Sequence, residues 1–330
     1  MYSVNEFQRI YQKILPYIRI TPLLESQHLS RHIQGHVLVK AESLQITGAF
    51  KLRGALHRLM SLPSSVKTKG IIAYSSGNFA AGLAAAGQIT NIPVTIVMPA
   101  DAPKVKLSNA RYYGAKVIEC KSSFPSREEA ACNMARALSK QSGGQLLHPF
   151  DDIELSKGQA TVGLEICQQI EQQKRAMTDW LLCPFGGGSL ATGCAMVVSA
   201  LSVPVRVCSI EPESYNGMEL SINAKKIQRA QGNMATSCDA LMARSPGSSL
   251  FPVAMSTGIK GISVSERYIA TAITLAFDEL KLILEPSGAI GIAALLQYPE
   301  LFKEQSVTLI ASGGNVDQNT YQQCLAMPVP

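Results

Sequence analysis

The stretch that decides the fold is ESLQITGAFKLRGALHRL, residues 42–59. It follows the apolar run Val37-Leu38-Val39 and breaks at Thr47-Gly48, after which Leu52, Ala55, Leu56 and Leu59 recur at helical spacing. The pattern predicts a strand, a turn and an amphipathic helix. Lys51 falls in the first turn of this helix, where unpaired N–H groups and the positive end of the helix dipole disfavour another cation.

Two explanations of Lys51 are open at this point. A lysine at a helix start is common and harmless when its amine is solvated. If the amine is instead partly buried against Phe50 and the turn, desolvation lowers its pKa and makes it a nucleophile toward aldehydes. The rest of the chain has to decide between them.

The composition describes a well-buried globular protein. The chain of 330 residues is long enough for two domains that share a core, and it is 46% hydrophobic and 16% charged. Its net charge is +6, but the basic residues are scattered, with no run longer than Lys225-Lys226 and no interleaved aromatics. We therefore predict that it does not bind nucleic acid.

The cysteines and the N-terminus indicate the compartment. None of the 8 cysteines forms a C-x-x-C pair, and several lie inside apolar runs, which favours buried free thiols over disulfides or a zinc site. The first 20 residues lack the apolar core of a secretory signal, and no stretch is long and apolar enough to cross a bilayer. We predict a cytoplasmic protein without membrane association.

Strand and helix patterns alternate through the first half of the chain. Predicted strands at 70–74, 94–97, 116–119 and 145–147 are interleaved with predicted helices, which include 104–112 and 127–140. This alternation indicates a parallel, doubly wound α/β sheet. No linker rich in Pro, Gly or Ser separates two halves, so a second domain is expected to be interleaved with the first.

A serine and glycine turn follows the first of these strands. Ser75-Ser76-Gly77-Asn78-Phe79 leads into a helix of small residues, with Asn78 as the predicted N-cap. Backbone N–H groups at such a turn point forward and can bind an anion. A simple helix cap explains the turn equally well.

The strongest local signal is the glycine turn, residues 186–190. A predicted strand at 179–184 precedes Phe185-Gly186-Gly187-Gly188-Ser189-Leu190, and a helix of small and apolar residues follows. Consecutive glycines let the backbone wrap an oxyanion at a helix N-terminus, which predicts a phosphate site. A competing interpretation is a dinucleotide fingerprint, Gly186-x-Gly188-x-x-Ala191, with Glu211 as the acid that binds ribose.

Two further turns lie near the end of the chain. Glu285-Pro286-Ser287-Gly288-Ala289 opens a very apolar helix. The last predicted strand, 307–311, ends in Ser312-Gly313-Gly314-Asn315-Val316-Asp317. Open α/β sheets bind ligands at the carboxyl ends of their strands, which is where this last turn lies.

Together with Lys51, these turns resemble the serine/threonine dehydratase and serine racemase family of pyridoxal-phosphate enzymes, fold type II (tryptophan-synthase-like). The matching motifs, which include Thr47-Gly48-Ala49-Phe50-Lys51-x-Arg53-Gly54-Ala55, come in the family's order over nearly the whole chain. The resemblance implies an α/β fold of two interleaved domains, each with a mostly parallel sheet flanked by helices. The large, cofactor-binding domain would comprise residues 1–48 and 148–330, and the small domain residues 49–147.

The resemblance also assigns cofactor-binding residues. Lys51 would hold pyridoxal 5'-phosphate as a Schiff base and, once displaced by substrate, act as the general base at Cα. Asn78 would bind the 3-oxygen, and Ser312 would meet the pyridine nitrogen, leaving it uncharged. The remaining cofactor-binding residues would be Phe50 beside the ring, Glu285, and Gly186, Gly187, Gly188, Ser189 and Leu190 around the phosphate.

On the substrate side, the resemblance implies that the serine turn binds the substrate carboxylate. Its residues are Ser75, Ser76, Gly77, Asn78 and Phe79. In the racemases, the position of Ser76 is the acid/base on the face opposite the lysine, and dehydratases also have it. Arg127 lies where the family often has a substrate-side arginine.

The sequence departs from the family pattern at two places. Phe79 and Ala81 stand where the family commonly has histidine and glutamine, so the carboxylate end of the pocket is more apolar. The positions of the family's divalent-metal site are Glu211, Tyr215 and Gly217, and the second acid is missing. We therefore predict no bound metal.

The predicted activity is that of a pyridoxal-phosphate dehydratase, an ammonia-lyase. It would convert a β-hydroxy-α-amino acid such as L-threonine or L-serine, through an enamine, to a 2-oxo acid and ammonia. The alternatives are a racemase or β-replacement enzyme of the same fold, a nicotinamide-dependent oxidoreductase, and a non-catalytic amino-acid binder. The resemblance implies a homodimer, and the absence of a regulatory domain after Asp317 predicts no feedback inhibition by an amino acid.

Overall fold

The computed structural model describes residues 2–121, 127–232 and 234–327, with the side chain of Arg127 outside the description. Strands in these ranges form two sheets. They are β1 Leu23–Glu25, β2 His36–Lys40, β3 Ile71–Tyr74, β4 Val94–Pro99, β5 Lys116–Cys120, β6 Gln145–Leu147, β7 Trp180–Pro184, β8 Arg206–Pro212, β9 Lys260–Val264 and β10 Ser306–Ile310.

Helices flank both sheets. No helix in the described part of the chain is long and apolar enough to cross a membrane. The helices are α1 Val4–Ile14, α2 Gln27–His32, α3 Lys51–Met60, α4 Ser64–Lys67, α5 Asn78–Thr90, α6 Lys104–Tyr112, α7 Arg127–Ser142, α8 Ile153–Gln172, α9 Ser189–Leu201, α10 Gly217–Ala224, α11 Phe251–Ser256, α12 Arg267–Asp278, α13 Pro286–Gln297 and α14 Gln318–Leu325.

Both sheets are mostly parallel. The six-stranded sheet has the order β1-β2-β10-β7-β8-β9, in which β1 alone is antiparallel to its neighbour. The four-stranded sheet has the order β5-β4-β3-β6, with all pairs parallel. A parallel strand is covered on both faces, and all five residues of β7 are indeed buried. The predicted α/β fold is confirmed.

The two sheets occupy different parts of the chain. All strands of the four-stranded sheet lie within residues 49–147, and all strands of the six-stranded sheet lie outside that range. We call residues 49–147 the small unit and the rest the large unit. Their description as two domains stays a prediction.

The register of the large sheet brings three loops to one edge. Leu309 of β10 pairs with Val39 of β2 on one side and with Leu182 of β7 on the other. Because all three strands run in the same direction, the segments that follow them emerge side by side. These segments lead into residues 42–51, the glycine turn and the turn at Ser312.

Helix α3 lies in close contact with helix α8 of the large unit. Gly54 and Gly158 face each other, and a Cβ atom added at Gly158 would stand 2.6 Å from the Cα atom of Gly54. Any larger side chain at these two positions would push the helices apart. This contact fixes the base of α3, whose first residue is Lys51.

A buried ion network joins α3 to the large unit. The guanidinium of Arg53 donates to both carboxylate oxygens of Glu42, at 2.7 and 2.9 Å, and to Glu165, at 2.9 and 3.1 Å. Lys40 Nζ donates to Glu165 at 2.6 Å. All four side chains are at most 1% exposed. Arg53 and Lys40 outweigh the effect of burial and hold the pKa of Glu165 below its ordinary value.

Three elements differ from the sequence prediction. The sequence of residues 212–265 predicts a helix from about Ser214 and then a loop, but strand β9 lies in this range. Residues 20–24 predict only a lead-in to a short helix, but β1 begins at Leu23. The sequence predicts a long helix over 158–170, whereas α8 begins at Ile153, because the side chain of Asp152 accepts a hydrogen bond from Leu155 N and caps it.

We expect Glu165→Gln to destabilise the apo-protein by about 3 to 5 kcal/mol, because it leaves two buried cations without a full counter-charge. The measurement is equilibrium unfolding in urea at pH 7. Glu300→Gln is the matched control, since Glu300 is 83% exposed and its partner Lys303 is 3.6 Å away. The control should change the free energy of unfolding by less than about 0.5 kcal/mol. Similar values for both variants would contradict this account of the network.

Candidate active site

A cavity of about 770 Å³ lies between the small and the large unit, at the carboxyl ends of β3 and β7. Every predicted site residue whose side chain the structure describes lines it, and the side chain of Arg127 lies outside the described part of the chain. They are Phe50, Lys51, Ser75, Ser76, Gly77, Asn78, Phe79, Gly186, Gly187, Gly188, Ser189, Leu190, Glu285 and Ser312.

Lys51 extends into this cavity from the first turn of α3. Its amine donates to the carbonyl of Pro149 at 3.3 Å and lies 5.1 Å from the ring centre of Phe50 and 5.9 Å from that of Phe79. Burial lowers the pKa of Lys51 to about 8. Of the two explanations that the sequence left open, the structure favours the partly desolvated amine.

The glycine turn leads into the start of α9. Gly188 is the N-cap with φ +108°, a conformation that L side chains rarely adopt, and no side chain of the described residues caps the helix. The first N–H groups of the helix therefore have no intrahelical acceptor. A Cβ atom on Gly187 would stand 1.8 Å from the ring of Phe150, so this wall admits only backbone.

The serine turn presents a second helix start to the same cavity. The N-cap of α5 is Gly77, not Asn78 as predicted, and the N–H of Gly77 is held by Ser75 Oγ at 3.2 Å. Asn78 is the first helical residue, and its side chain does not cap the helix. Its Nδ2 donates to Glu285 Oε1, and its Oδ1 accepts from Asn315 Nδ2 at 2.9 Å. One of the two N–H bonds of the amide remains for a ligand.

Ser312 ties the last strand to the lysine loop. It is 5% exposed and directly follows Ala311, after β10. Its carbonyl accepts from Phe50 N at 3.2 Å, and Ala49 forms a β-bridge with Gly313. The loop before Lys51 is thus held by the turn at Ser312.

Sequence reasoning missed several residues of the cavity wall, in both units. His148 is the clearest example: its Nδ1 accepts from the N–H groups of Phe150 and Asp151, at 3.3 and 2.9 Å. Burial lowers the pKa of His148, so the ring is neutral at pH 7 with its proton on Nε2. No local pattern marks such residues, which also include Tyr74, Cys132, Arg136, Tyr215, Asp239 and Arg244.

The surroundings of Glu211 do not fit a metal ion. Its carboxylate is 1% exposed and accepts from Met218 N and Glu219 N, both at 2.9 Å, and burial raises its pKa to about 8. A Cβ atom on Gly217 would stand 2.4 Å from the carbonyl oxygen of Arg244, so an acid cannot occupy that position without a backbone shift. Within the described ranges, no three His, Cys, Asp or Glu side chains are grouped as metal ligands.

Comparison with known proteins identifies the family. The family model described as pyridoxal-phosphate dependent enzyme matches residues 14–313. The chain belongs to this family. The L-threonine ammonia-lyase of Thermotoga maritima is 33% identical over 317 residues, which cover 96% of this chain and 76% of the relative. The serine racemase of Arabidopsis thaliana is 35% identical over 320 residues, covering 96% and 93%.

A solved structure extends the similarity to the fold. The crystal structure of the T.th. threonine deaminase superimposes with a TM-score of 0.88 at 36% identity, covering 96% of this chain and 99% of that one. The predicted resemblance and fold type II are therefore confirmed, and the chain is a pyridoxal-phosphate dependent enzyme.

The cavity fits pyridoxal phosphate, which carries an aldehyde, a phosphate and a pyridine ring. Lys51 supplies an amine of lowered pKa, and the start of α9 supplies N–H donors for a dianion. The volume lies in the range of small-molecule sites. The dinucleotide interpretation loses its ribose ligand, because both carboxylate oxygens of Glu211 are engaged by backbone N–H groups.

We expect the apo-protein to show an unusually reactive Lys51. At pH 7.5 about a quarter of an amine with a pKa near 8 is neutral, against about one in a thousand for an ordinary lysine. Trace labelling with acetic anhydride from pH 6 to 11, followed by peptide mass spectrometry, should give a midpoint near 8 for Lys51. The half-exposed Lys303 is labelled in the same samples as an internal control for a surface amine. A midpoint for Lys51 near about 10.4, the ordinary value of a lysine, would show that burial does not depress its pKa.

Proposed function

We propose that this enzyme is a dehydratase that converts a β-hydroxy-α-amino acid, most simply L-threonine or L-serine, to a 2-oxo acid and ammonia. The observation that carries the proposal is the position of the Lys51 amine. It lies in one cavity with the glycine turn and the serine turn, which are two anion-binding helix starts. Relatives named threonine ammonia-lyase and threonine deaminase support it.

The proposed roles follow from the donors that each residue offers. Residues 186–190 bind the cofactor phosphate through backbone N–H groups, and the free N–H of Asn78 donates to the ring oxygen. Ser312 offers a hydroxyl, not a carboxylate, to the pyridine nitrogen, so that nitrogen stays uncharged. Residues 75–79 bind the substrate carboxylate at the start of α5, where partial positive charge and unpaired N–H groups coincide.

Lys51 acts as the base in this proposal. Its amine, neutral in part at physiological pH, accepts the Cα proton, and the bound cofactor delocalises the electron pair that remains. The pair would then form the Cα–Cβ double bond, while the Cβ–O bond breaks and the β-hydroxyl leaves as water with the proton that Lys51 had accepted. Water hydrolyses the resulting enamine to the 2-oxo acid and ammonium, so the reaction consumes no net water and needs no oxidant.

A racemase is the second candidate, because Ser76 lines the cavity and the serine racemase of Arabidopsis thaliana is a relative. Racemisation requires a proton donor on the face of Cα opposite Lys51, and the hydroxyl of Ser76 is the proposed donor. Elimination does not require this second proton transfer. Removal of the Ser76 hydroxyl therefore separates the two activities.

We also propose a homodimer in the cytoplasm. An apolar surface supports the dimer. Two hydrogen bonds connect the three chain segments that carry it: Arg19 Nη1 donates to the carbonyl of Leu44, and Tyr113 Oη donates to the carbonyl of Ile46. All eight cysteines are free thiols, which agrees with a reducing compartment. The exposed apolar residues of this surface are Tyr17, Ile20, Leu44, Ile46 and Tyr112.

We expect the purified protein, loaded with pyridoxal phosphate, to release a 2-oxo acid from L-threonine or L-serine. Lys51→Ala should lower the rate by about a thousandfold or more, because both the anchor and the base are lost. Ser76→Ala should abolish any racemisation and change elimination less. Product release is followed by NMR, and racemisation by chiral chromatography.

The half-exposed Lys303 provides the control Lys303→Ala, which should retain full activity. If the wild-type enzyme binds the cofactor and inverts serine without releasing a 2-oxo acid, the dehydratase proposal is wrong and the racemase takes its place. Release of 2-oxo acid by Lys51→Ala at the wild-type rate would reject Lys51 as the base.

We expect light scattering to give a mass twice the 35.4 kDa of one chain. Leu44→Asp should lower the mass toward that of the monomer, because it places a charge on the apolar surface. Leu301→Asp is the matched control, since Leu301 is exposed to a similar degree but lies outside this surface. A monomeric wild-type protein, or dissociation by the control variant alone, would contradict the proposed surface.

A further inference from the structure

Helix α6 of the small unit turns one polar face toward the large unit. Lys106, Asn109 and Tyr113 follow one another at intervals of three and four residues, so they lie on the same face of the helix. Each of them bonds to the large unit: Lys106 to two carboxylates, Asn109 to a side-chain amide and Tyr113 to a backbone carbonyl. These partners are Asp239 and Glu285, Asn315, and Ile46.

Lys106 is the charged member of this face. It is 3% exposed, and its amine stands 2.6 Å from Asp239 Oδ2 and 3.1 Å from Glu285 Oε2. It also lies in the first turn of α6, where the helix dipole disfavours a cation. Burial alone would lower the pKa of Lys106, but the two carboxylates outweigh it and raise the pKa. The lysine is therefore charged, and it joins the two units by ion pairs.

Glu285 depends on this lysine for its charge. It is 1% exposed, and burial raises its pKa, while the charge of Lys106 is the main influence in the opposite direction. Without Lys106, burial favours the protonated form of the Glu285 carboxyl group. A protonated Glu285 would become a hydrogen-bond donor and could no longer act as a pure acceptor.

The other oxygen of Glu285 holds the side chain of Asn78. Asn78 Nδ2 donates to Glu285 Oε1, and Asn315 Nδ2 donates both to Asn78 Oδ1 and to the carbonyl of Thr47, each at 2.9 Å. Asn109 Nδ2 completes the connection to α6 with a bond of 3.3 Å to Asn315 Oδ1. Because Nδ2 and Oδ1 of Asn78 are both hydrogen-bonded, the orientation of the amide is fixed, and its remaining N–H points in one direction.

We propose that Lys106 is a positioning residue that, from the small unit, holds Glu285 as a carboxylate and thereby fixes the amide of Asn78 toward the cofactor ring. The role of Asn78 at the ring belongs to the proposed function, on which this inference rests. Because the link crosses the cleft, closing the small unit on the large one and orienting Asn78 are a single event. The polar character of the α6 face also lets the contact break and re-form, since little apolar surface has to be exposed.

The test is the affinity of the apo-protein for pyridoxal phosphate, together with the absorption spectrum of the bound cofactor. We expect Lys106→Met to weaken binding about tenfold, as for one lost hydrogen bond to the ligand, and to move the absorption band. Lys104→Met is the matched control, because Lys104 is exposed and lies two residues away in the same helix. It should leave both affinity and spectrum unchanged.

The double variant Lys106→Met/Glu285→Gln separates positioning from mere stability. Glutamine keeps an oxygen that accepts from Asn78 and needs neither a counter-charge nor a proton, so the double variant should bind the cofactor more tightly than Lys106→Met alone. Thermal melting of the apo-proteins measures the structural part of each change. Additive losses in the two variants, or wild-type affinity and spectrum in Lys106→Met, would overturn the proposal.

Folding failure is informative as well. If Lys106→Met does not fold but the double variant does, the dependence of Glu285 on Lys106 is supported. If neither folds, Lys106 serves stability alone and the positioning role is rejected. A wild-type protein that binds the cofactor but releases no 2-oxo acid would reject the proposed function without affecting this test, since the readouts are cofactor affinity and spectrum.

Discussion

The ion pairs of Arg53 with Glu42 and Glu165 are the constraint on which the rest of the structure depends. Their contribution to net stability is modest, because three charged groups had to leave water. Their contribution to geometry is larger: a bidentate guanidinium accepts few orientations, and Arg53 lies two residues after Lys51 on the same helix. The close contact of Gly54 with Gly158 fixes the same helix from another side. The position of Lys51 is thus fixed by residues that do not line the cavity.

Burial acts on three lysines of this protein with different results. No carboxylate of the described residues pairs with Lys51, so burial lowers its pKa to about 8 and leaves an amine that can exchange a proton. Lys106 stands between two carboxylates, and its pKa is raised. Lys40 pairs with Glu165, yet burial still lowers its pKa. For Lys51 and Lys106, the presence of carboxylate partners decides the direction of the pKa shift.

Features written in a continuous stretch of sequence were predictable. Lys51 after Thr47-Gly48, the glycine turn and the turn at Ser312 each combine a strand, a flexible turn and a helix or strand end in sequence order, and the structure brings them into one cavity. Strand β9 was not predictable from the sequence, because its residues are mostly only partly buried and do not alternate between apolar and polar. The N-cap of α5 was misplaced because Asn78 is a good capping residue whose side chain is drawn away by Glu285. Lys106 and Asp239 acquire their roles from partners distant in the chain, which no local pattern can show.

The wall of the cavity is assembled from stretches that begin near Phe50 and end at Ser312, and that belong to both sheets. Neither unit alone contains the whole wall. A molecule bound there touches both units and stabilises the state in which they are folded and joined, by an amount that grows with the logarithm of its concentration over its dissociation constant. The bound cofactor therefore also stabilises the folded state, and it couples the unfolding of two sheets that share no strand.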